Sequence, residues 1–379
     1  MKILYSVLLV PVFLISGCDS SSQDIFIDLD RKDSVSMKDF VDRIDVVQLE
    51  SNTQCILRGV SSLILYEDNF YIFDEGGGAV LCFSKAGKFK YKIHSLGRGP
   101  EEYSYLAHFN IDPYNKRLIL LNPWGEILYY DLDGKFIEKI ILPSECRACN
   151  EVYAINRDTL LFVTLVGFSF QYYSWTENKI VKSVFPIEPE TRKMFPMRRI
   201  SRYKDSYFFN SLLDENKIYN LSLDDIAVDY VWNFGKLNYT KNQIEKIHDY
   251  IREQDLNRKV IRTTDFVGKD KILGYFMLAN SETDRYRLAL VMLGDTISKT
   301  VLLLYDKYKK EYFVFDKTTE GIQPYFIQDI QDESIVLWDY GSGYKYFDLD
   351  ILNDEQRELI NNHNKETDNP FLVVYHLKQ

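Results

Sequence analysis

Histidine and cysteine are scarce, with five of each among 379 residues. The histidines (His94, His108, His248, His363 and His376) form no H-E-x-x-H or other close pair, and no G-x-S-x-G elbow occurs. The usual signatures of zinc proteases and nucleophile-elbow hydrolases are therefore missing. Positive charge is in deficit too: 46 Lys and Arg stand against 56 Asp and Glu, a formal net charge of −10. Such a chain is ill suited to wrapping polyanions, and nucleic acid is not expected as a partner. No catalytic residue, metal ligand set or cofactor is expected from motifs, although carboxylates paired only in space leave no trace in a sequence. Long apolar runs are absent as well. A spanning helix needs about 20 apolar residues, whereas residues 3–15 supply thirteen, mostly apolar.

That run has the length of a signal-peptide core. Lys2 is the only charge before position 19, and the run ends in Leu14-Ile15-Ser16-Gly17-Cys18. This ending resembles the bacterial lipobox. The resemblance implies cleavage after Gly17, so that residues 1–17 are a lipoprotein signal peptide, and lipidation of Cys18, which attaches the protein to the cell envelope. Residues 18–24 then read as a polar tether. Asp19 and Asp24 are too few to choose a membrane face.

What the sequence has in abundance is aromatic residues, 15% of the chain, and these favour strands. Two stretches, 66–93 and 114–140, align almost without gaps, with Gly87, Phe89 and Ile93 matching Gly134, Phe136 and Ile140 47 positions later. Each reads as strand, turn, strand, Gly-containing turn, strand. Weaker copies follow at 158–185, 206–235 and 271–316, and a sixth opens near 324. A period of 40–50 residues with about four strands per unit is the mark of a β-propeller blade. The expected fold is all-β: a six-bladed propeller over residues 25–379. A helical insertion at about 240–256 separates the fourth and fifth units, where Thr240 and Gln243 form a capping box and Ile244, Ile247 and Ile251 share one face. Strand-like segments at 43–50 and 369–378 are expected in the same blade, closing the ring and removing open edges.

The lipobox, the segment LGRGPEEY (96–103) and the terminal NPFLVVYHLK (369–378) resemble the six-bladed, NHL-like β-propeller lipoproteins of Bacteroides and its relatives. Members more often read G-R-G-P-G-E-Y, and Glu101 replaces a glycine here. The resemblance implies fold and envelope location and brings no settled activity. The function expected is a non-catalytic binding or scaffold module for a glycan, peptide or envelope protein. The alternative is a propeller hydrolase or lyase with a metal in the central channel.

Within LGRGPEEY, Arg98, Glu102 and Tyr103 are candidate ligand contacts at the channel mouth. The competing reading is a crossover between blades in which Arg98 pairs with Glu101 or Glu102. Trp124, at the tip of a hairpin in NPWGE, is the fourth candidate, since an exposed indole is a platform for sugar rings or apolar surfaces. Asp131-Leu132-Asp133-Gly134 begins like a calcium loop, but its aligned copy, Ser84-Lys85-Ala86-Gly87, keeps only the glycine; a hairpin turn is expected. Cys146 and Cys149, spaced C-x-x-C, admit free thiols, a local disulfide or redox chemistry. A basic stretch, 191–204, offers a loop for an acidic partner or a plain solvated connection.

Overall fold

The computed structural model describes residues 23–164, 167–187, 200–210, 216–257, 262–268, 270–294, 299–323, 330–331, 333–339 and 352–379. The signal segment and Cys18 lie outside them.

The chain begins with β1 (Gln23–Phe26), α1 (Met37–Phe40) and β2 (Val41–Gln48). Blade 1 follows as β3 (Val60–Tyr66), β4 (Asn69–Asp74), β5 (Ala79–Ser84) and β6 (Phe89–Ile93). Blade 2 is β7 (His108–Asp112), β8 (Arg117–Asn122), β9 (Glu126–Asp131) and β10 (Phe136–Ile141). Blade 3 is β11 (Cys149–Ala154), β12 (Thr159–Thr164), β13 (Phe168–Ser174) and β14 (Lys179–Pro186). Blade 4 is β15 (Ile200–Tyr203), β16 (Ser206–Asn210), β17 (Lys217–Leu221) and β18 (Ile226–Asn233). After α2 (Lys241–Leu256) and α3 (Thr263–Phe266) comes blade 5: β19 (Phe276–Glu282), β20 (Tyr286–Met292), β21 (Thr300–Asp306) and β22 (Glu311–Phe315). Blade 6 holds β23 (Ile330–Gln331), β24 (Ser334–Asp339) and, after α4 (Asp354–Asn361), β25 (Phe371–Leu377). The result is six antiparallel sheets, a six-bladed propeller as the repeat implies.

Closure follows the expected route. β2 pairs antiparallel with β25 as the outer strand of blade 6, with Val46 opposite Val373 and Val47 opposite Leu372. One ring is thus sealed by the two ends of the chain, and no blade is left half-built. β1 was expected to be partly tether, but it starts at Gln23. It adds a parallel fifth strand to the outer edge of blade 4, with Ile25 opposite Trp232. Parallel pairing gives its backbone groups ladder partners, so the polar composition of 23–24 does not keep them out of the fold.

Middle strands read as unbroken apolar runs because both faces are covered by neighbouring blades. Leu118 to Leu121 on β8 and Leu302 to Leu304 on β21 are all buried, whereas β6 on an outer edge alternates. The hairpins match between copies: Gly87 and Gly134 both take a left-handed φ, +77° and +81°. At Gly87 a Cβ would also lie 2.1 Å from the Gln48 carbonyl oxygen, so this conserved spacing between copies has a steric cause. Asp131 is explained by its turn: its Oδ1 accepts the N–H groups of Asp133 and Lys135.

The helical insertion sits where the isoleucine spacing places it. Thr240 and Gln243 form the reciprocal cap, with 3.0 Å from Thr240 N to Gln243 Oε1 and 3.3 Å from Gln243 N to Thr240 Oγ1. Ile247 and Ile251 are buried in the core of blades 4 and 5. The helix α4 has no expected counterpart. It is capped by Asn353, and its Gln356 side chain donates to the Ile44 carbonyl at 2.7 Å, covering part of the outer strand β2.

The short helix α1 yields a testable consequence. Its cap residue Ser36 donates to Glu320 Oε1 at 2.5 Å, and Met37 N donates to Oε2 at 3.0 Å. Partial burial pushes the Glu320 carboxyl up, but these bonds outweigh it and hold the group down at about 2. A carboxyl depressed on folding adds stability above its ordinary range, near 4.5, that is lost as pH falls towards 2. Glu320→Gln is therefore expected to lower stability at pH 7 and to flatten the decline between pH 5 and 2. Urea unfolding across that range checks it, and parallel wild-type and variant curves would refute it.

Candidate functional site

Antiparallel order divides each blade into two ends. The first–second and third–fourth turns lie at one end, and the second–third loops and blade-to-blade crossovers lie at the other. At the first end the turns of blades 1 to 5 are tight, and blade 6 has α1 and the last residues of the chain there. The other carries α2, α3, the attachment of α4, the segment 96–103, Trp124 and the two C-x-x-C cysteines. Long loops on one rim of a rigid ring are where a propeller places a site.

The segment 96–103 is a tightly bonded loop. Gly97 N donates to the Tyr103 carbonyl at 3.0 Å, Tyr103 N to the Ser95 carbonyl at 2.9 Å, and Gly99 N to Glu102 Oε2 at 2.7 Å. A Cβ on Gly97 would stand 1.9 Å from the same carboxylate oxygen. The glycines thus form a cradle for Glu102, which the backbone consumes. Glu101 has no left-handed φ among the described residues, which is why a non-glycine fits there. Lys139, paired with Glu126 at 3.0 Å, also donates to the Glu102 carbonyl at 2.9 Å and ties the loop to β10.

Two expected contacts are corrected by this geometry. Tyr103 is completely buried, and its hydroxyl donates to the Gly78 carbonyl at 2.8 Å. Burial pushes the phenol up to about 12. Tyr103 therefore pins blade 1 to the crossover and presents no ring to a ligand. Glu102 is likewise an internal brace. Arg98 is exposed, and it forms no ion pair with Glu101 or Glu102, so the pairing expected from sequence is not made.

Trp124 is 70% exposed on the β8–β9 hairpin, and its backbone N–H donates to Asn122 Oδ1 at 3.2 Å. Asn122 also reaches Ser104 Oγ at 3.2 Å, so the hairpin and the crossover share one patch. Leu96 and Tyr105, missed in the sequence, are about half exposed on the same crossover. Arg147 is exposed beside Gly125, where its Cγ would lie 3.3 Å from an added Cβ. The rim over blades 1 to 3 thus displays Leu96, Tyr105 and Trp124 with Arg98 and Arg147. Leu96 and Tyr105 flank the glycine loop, which was the only sequence signal for them.

Cys146 and Cys149 are free, buried thiols, one of the readings left open by their spacing. Cys146 closes a 3-10 turn and Cys149 opens β11, with Ala148 at φ +63° between them. The Cys149 thiol donates to the Cys146 carbonyl at 2.8 Å. Burial pushes Cys146 up to about 12 and Cys149 higher still, the opposite of a reactive thiolate. Of the basic stretch, 191–199 lies outside the described residues. Within the described part, Lys204 pairs with Asp284 at 2.6 Å, at the turn end.

One constellation had no sequence signal. Ser334 Oγ stands 3.1 Å from His376 Nδ1, and His376 Nε2 stands 2.7 Å from Asp45 Oδ2. The three lie on adjacent strands of blade 6, and Ser334 and His376 line a cavity of about 530 Å³ together with Arg43, Arg285 and Lys378. Arg43 grips both Asp45 oxygens at 3.1 Å and also approaches His376 Nε2 at 3.0 Å. Partial burial pushes Asp45 up, but Arg43 and His376 outweigh it and hold it below the usual carboxylate range. With Ser334 itself buried, this chain reads as a clamp across the ring closure. Among the described residues, no group of three or more His, Cys, Asp or Glu is placed to hold a metal. No helix among them is long and apolar enough to cross a membrane.

Residues 24–376 match the model of a family described as a domain of unknown function, DUF4934. No protein of curated function matches the sequence. Among solved structures, a Bacteroides fragilis protein described as exported is similar at 18% identity and a TM-score of 0.72, covering 94% of this chain and 100% of that one. A DUF4221 member from Bacteroides vulgatus is similar at 9% identity and a TM-score of 0.51, over 92% of this chain and 99% of that one. At such identities the likeness establishes the propeller fold.

Proposed function

The chain belongs to the DUF4934 family, and on that premise we propose that it is a non-catalytic binding module of the cell envelope, anchored through a lipidated Cys18. Its loop end contacts a glycan, peptide or envelope protein. The lipobox-like ending at Cys18 and the structural likeness to an exported protein support the location. The observation that carries the binding role is the rim patch itself. Exposed aromatic and aliphatic side chains stand beside two guanidinium groups without ion pairs among the described residues, on a hairpin and crossovers of which the 96–103 loop is braced by its own backbone and by Lys139. Such a surface is preorganised, so little ordering entropy opposes binding. Trp, Tyr and Arg are the side chains that most often dominate contact energy.

The test is crosslinking of the anchored protein in its own envelope, followed by quantitative recovery of whatever it holds. Arg98→Ala with Trp124→Ala is expected to reduce recovery by about ten- to a hundredfold. The unfolding free energy should stay within about 0.5 kcal/mol of wild type, since both side chains are on the surface. Equal recovery by wild type and variant would remove the rim patch as the contact.

A further inference from the structure

We infer that the β21–β22 turn, residues 307–310, is a membrane-contacting element that seats the anchored propeller on an anionic lipid surface. This rests on the anchoring part of the reading above. β1 starts at Gln23 against blade 5. Its side chain lies 3.5 Å from the Tyr305 hydroxyl and accepts from Arg287 Nη1 at 3.2 Å. Tyr305 is the penultimate residue of β21, and the turn follows directly. Cys18 is five Cα steps from Gln23, a reach of at most about 18 Å. An acyl chain on Cys18 therefore holds this edge of blades 4 and 5 close to the bilayer.

The turn has the chemistry for that position. Tyr308 is 66% exposed. Lys309 and Lys310 are exposed and form no ion pair among the described residues. Lys307, by contrast, is held by Glu282 at 2.9 Å. The turn is rigid: Asp306 Oδ1 accepts the N–H groups of Tyr308 at 3.0 Å and Lys309 at 3.1 Å. Two exposed acids adjoin the turn: Asp284 is paired with Lys204 at 2.6 Å, and Glu311 stands against both Lys309 and Lys310, so the tip itself is net positive. Tyrosine suits the headgroup region, and lysines close to an anionic surface are drawn to it. The lipid supplies the attachment and the turn supplies the orientation. Because this turn joins third and fourth strands, the loop end bearing Trp124 then faces away from the membrane.

A vesicle assay tests this. The mature chain is coupled through the Cys18 thiol to a maleimide phospholipid in phosphatidylcholine vesicles with about 30% phosphatidylglycerol. The other cysteines are buried and protected. In the Tyr308→Trp variant, brominated acyl chains are expected to quench at least half of the emission added above that of the parent. Lys309→Glu with Lys310→Glu should restore it. Unquenched emission overturns the inference. Intact mass of the native protein reports separately on the anchor. A Cys18 without acyl groups would remove the anchoring reading, whereas an acylated Cys18 with unquenched emission would remove the turn alone.

Discussion

Asn369→Ala is expected to lower the unfolding free energy by about 3 kcal/mol, because one buried amide holds the seam of the ring. Its Oδ1 accepts the Leu57 N–H at 2.8 Å, and its Nδ2 donates to the carbonyls of Glu50 at 2.7 Å and Cys55 at 2.9 Å. The Asn369 backbone N–H donates to Ser51 Oγ at 2.8 Å. One side chain thus joins the entry to β25, the last strand, to the crossover that leads from β2 into blade 1. Alanine would strand one donor and two acceptors in a buried place, each at about 1–3 kcal/mol before relaxation. Asn369→Asp keeps the acceptor and replaces the doubly donating Nδ2 by one oxygen that repels both carbonyls, so it should cost at least as much at pH 7. Denaturant unfolding measures both, with exposed Asn362→Ala as the control. A loss below about 1 kcal/mol would mean that the seam is held by strand pairing alone.

Trp232→Ala should cost about 3–5 kcal/mol. An outer strand ordinarily shows one face to water, but β1 lies alongside β18, and Trp232 is wholly buried. Its indole N–H donates to Asn280 Oδ1 at 3.0 Å, the same oxygen that takes the Tyr230 hydroxyl at 2.9 Å. The two rings meet edge to face at 5.5 Å. Alanine removes the largest buried side chain from the join between blades 4 and 5 and leaves a cavity. Trp232→Phe keeps most of the volume and leaves Tyr230 bonded to Asn280, so it should cost about half as much or less. Trp124→Ala, at the exposed hairpin tip, should cost under 0.5 kcal/mol. The comparison fails if the two tryptophan-to-alanine variants unfold at the same midpoint.

Much of the architecture was legible from local pattern. Blade count followed from a repeat that must recur wherever the same sheet is built again. The pairing of β2 with β25 followed from two strand-like ends that would otherwise leave open edges. The insertion α2 was legible because capping and a 3.6-residue apolar period are properties of neighbouring residues. The helix α4 was not, because only two of its residues, Leu359 and Ile360, pack against the core, and it is held instead by contacts to β2.

The candidate site divides along the same line. Position on an exposed hairpin is a local property, and Trp124 was found by it. Whether Tyr103 faces solvent or a neighbouring blade depends on Gly78, 25 residues away. The role of Glu102 depends on how closely two glycines let a carboxylate approach the backbone. The clamp of Asp45, Ser334 and His376 spans 331 positions between its first and last members. The sequence by itself determined the blade repeat, the closure and the helical insertion, since periodicity, turn chemistry and edge avoidance act over a few residues. Only the tertiary structure decided which polar groups are spent within the fold and which remain for a partner. That choice is set by burial and by the distance between strands, and both come into being only when the ring closes.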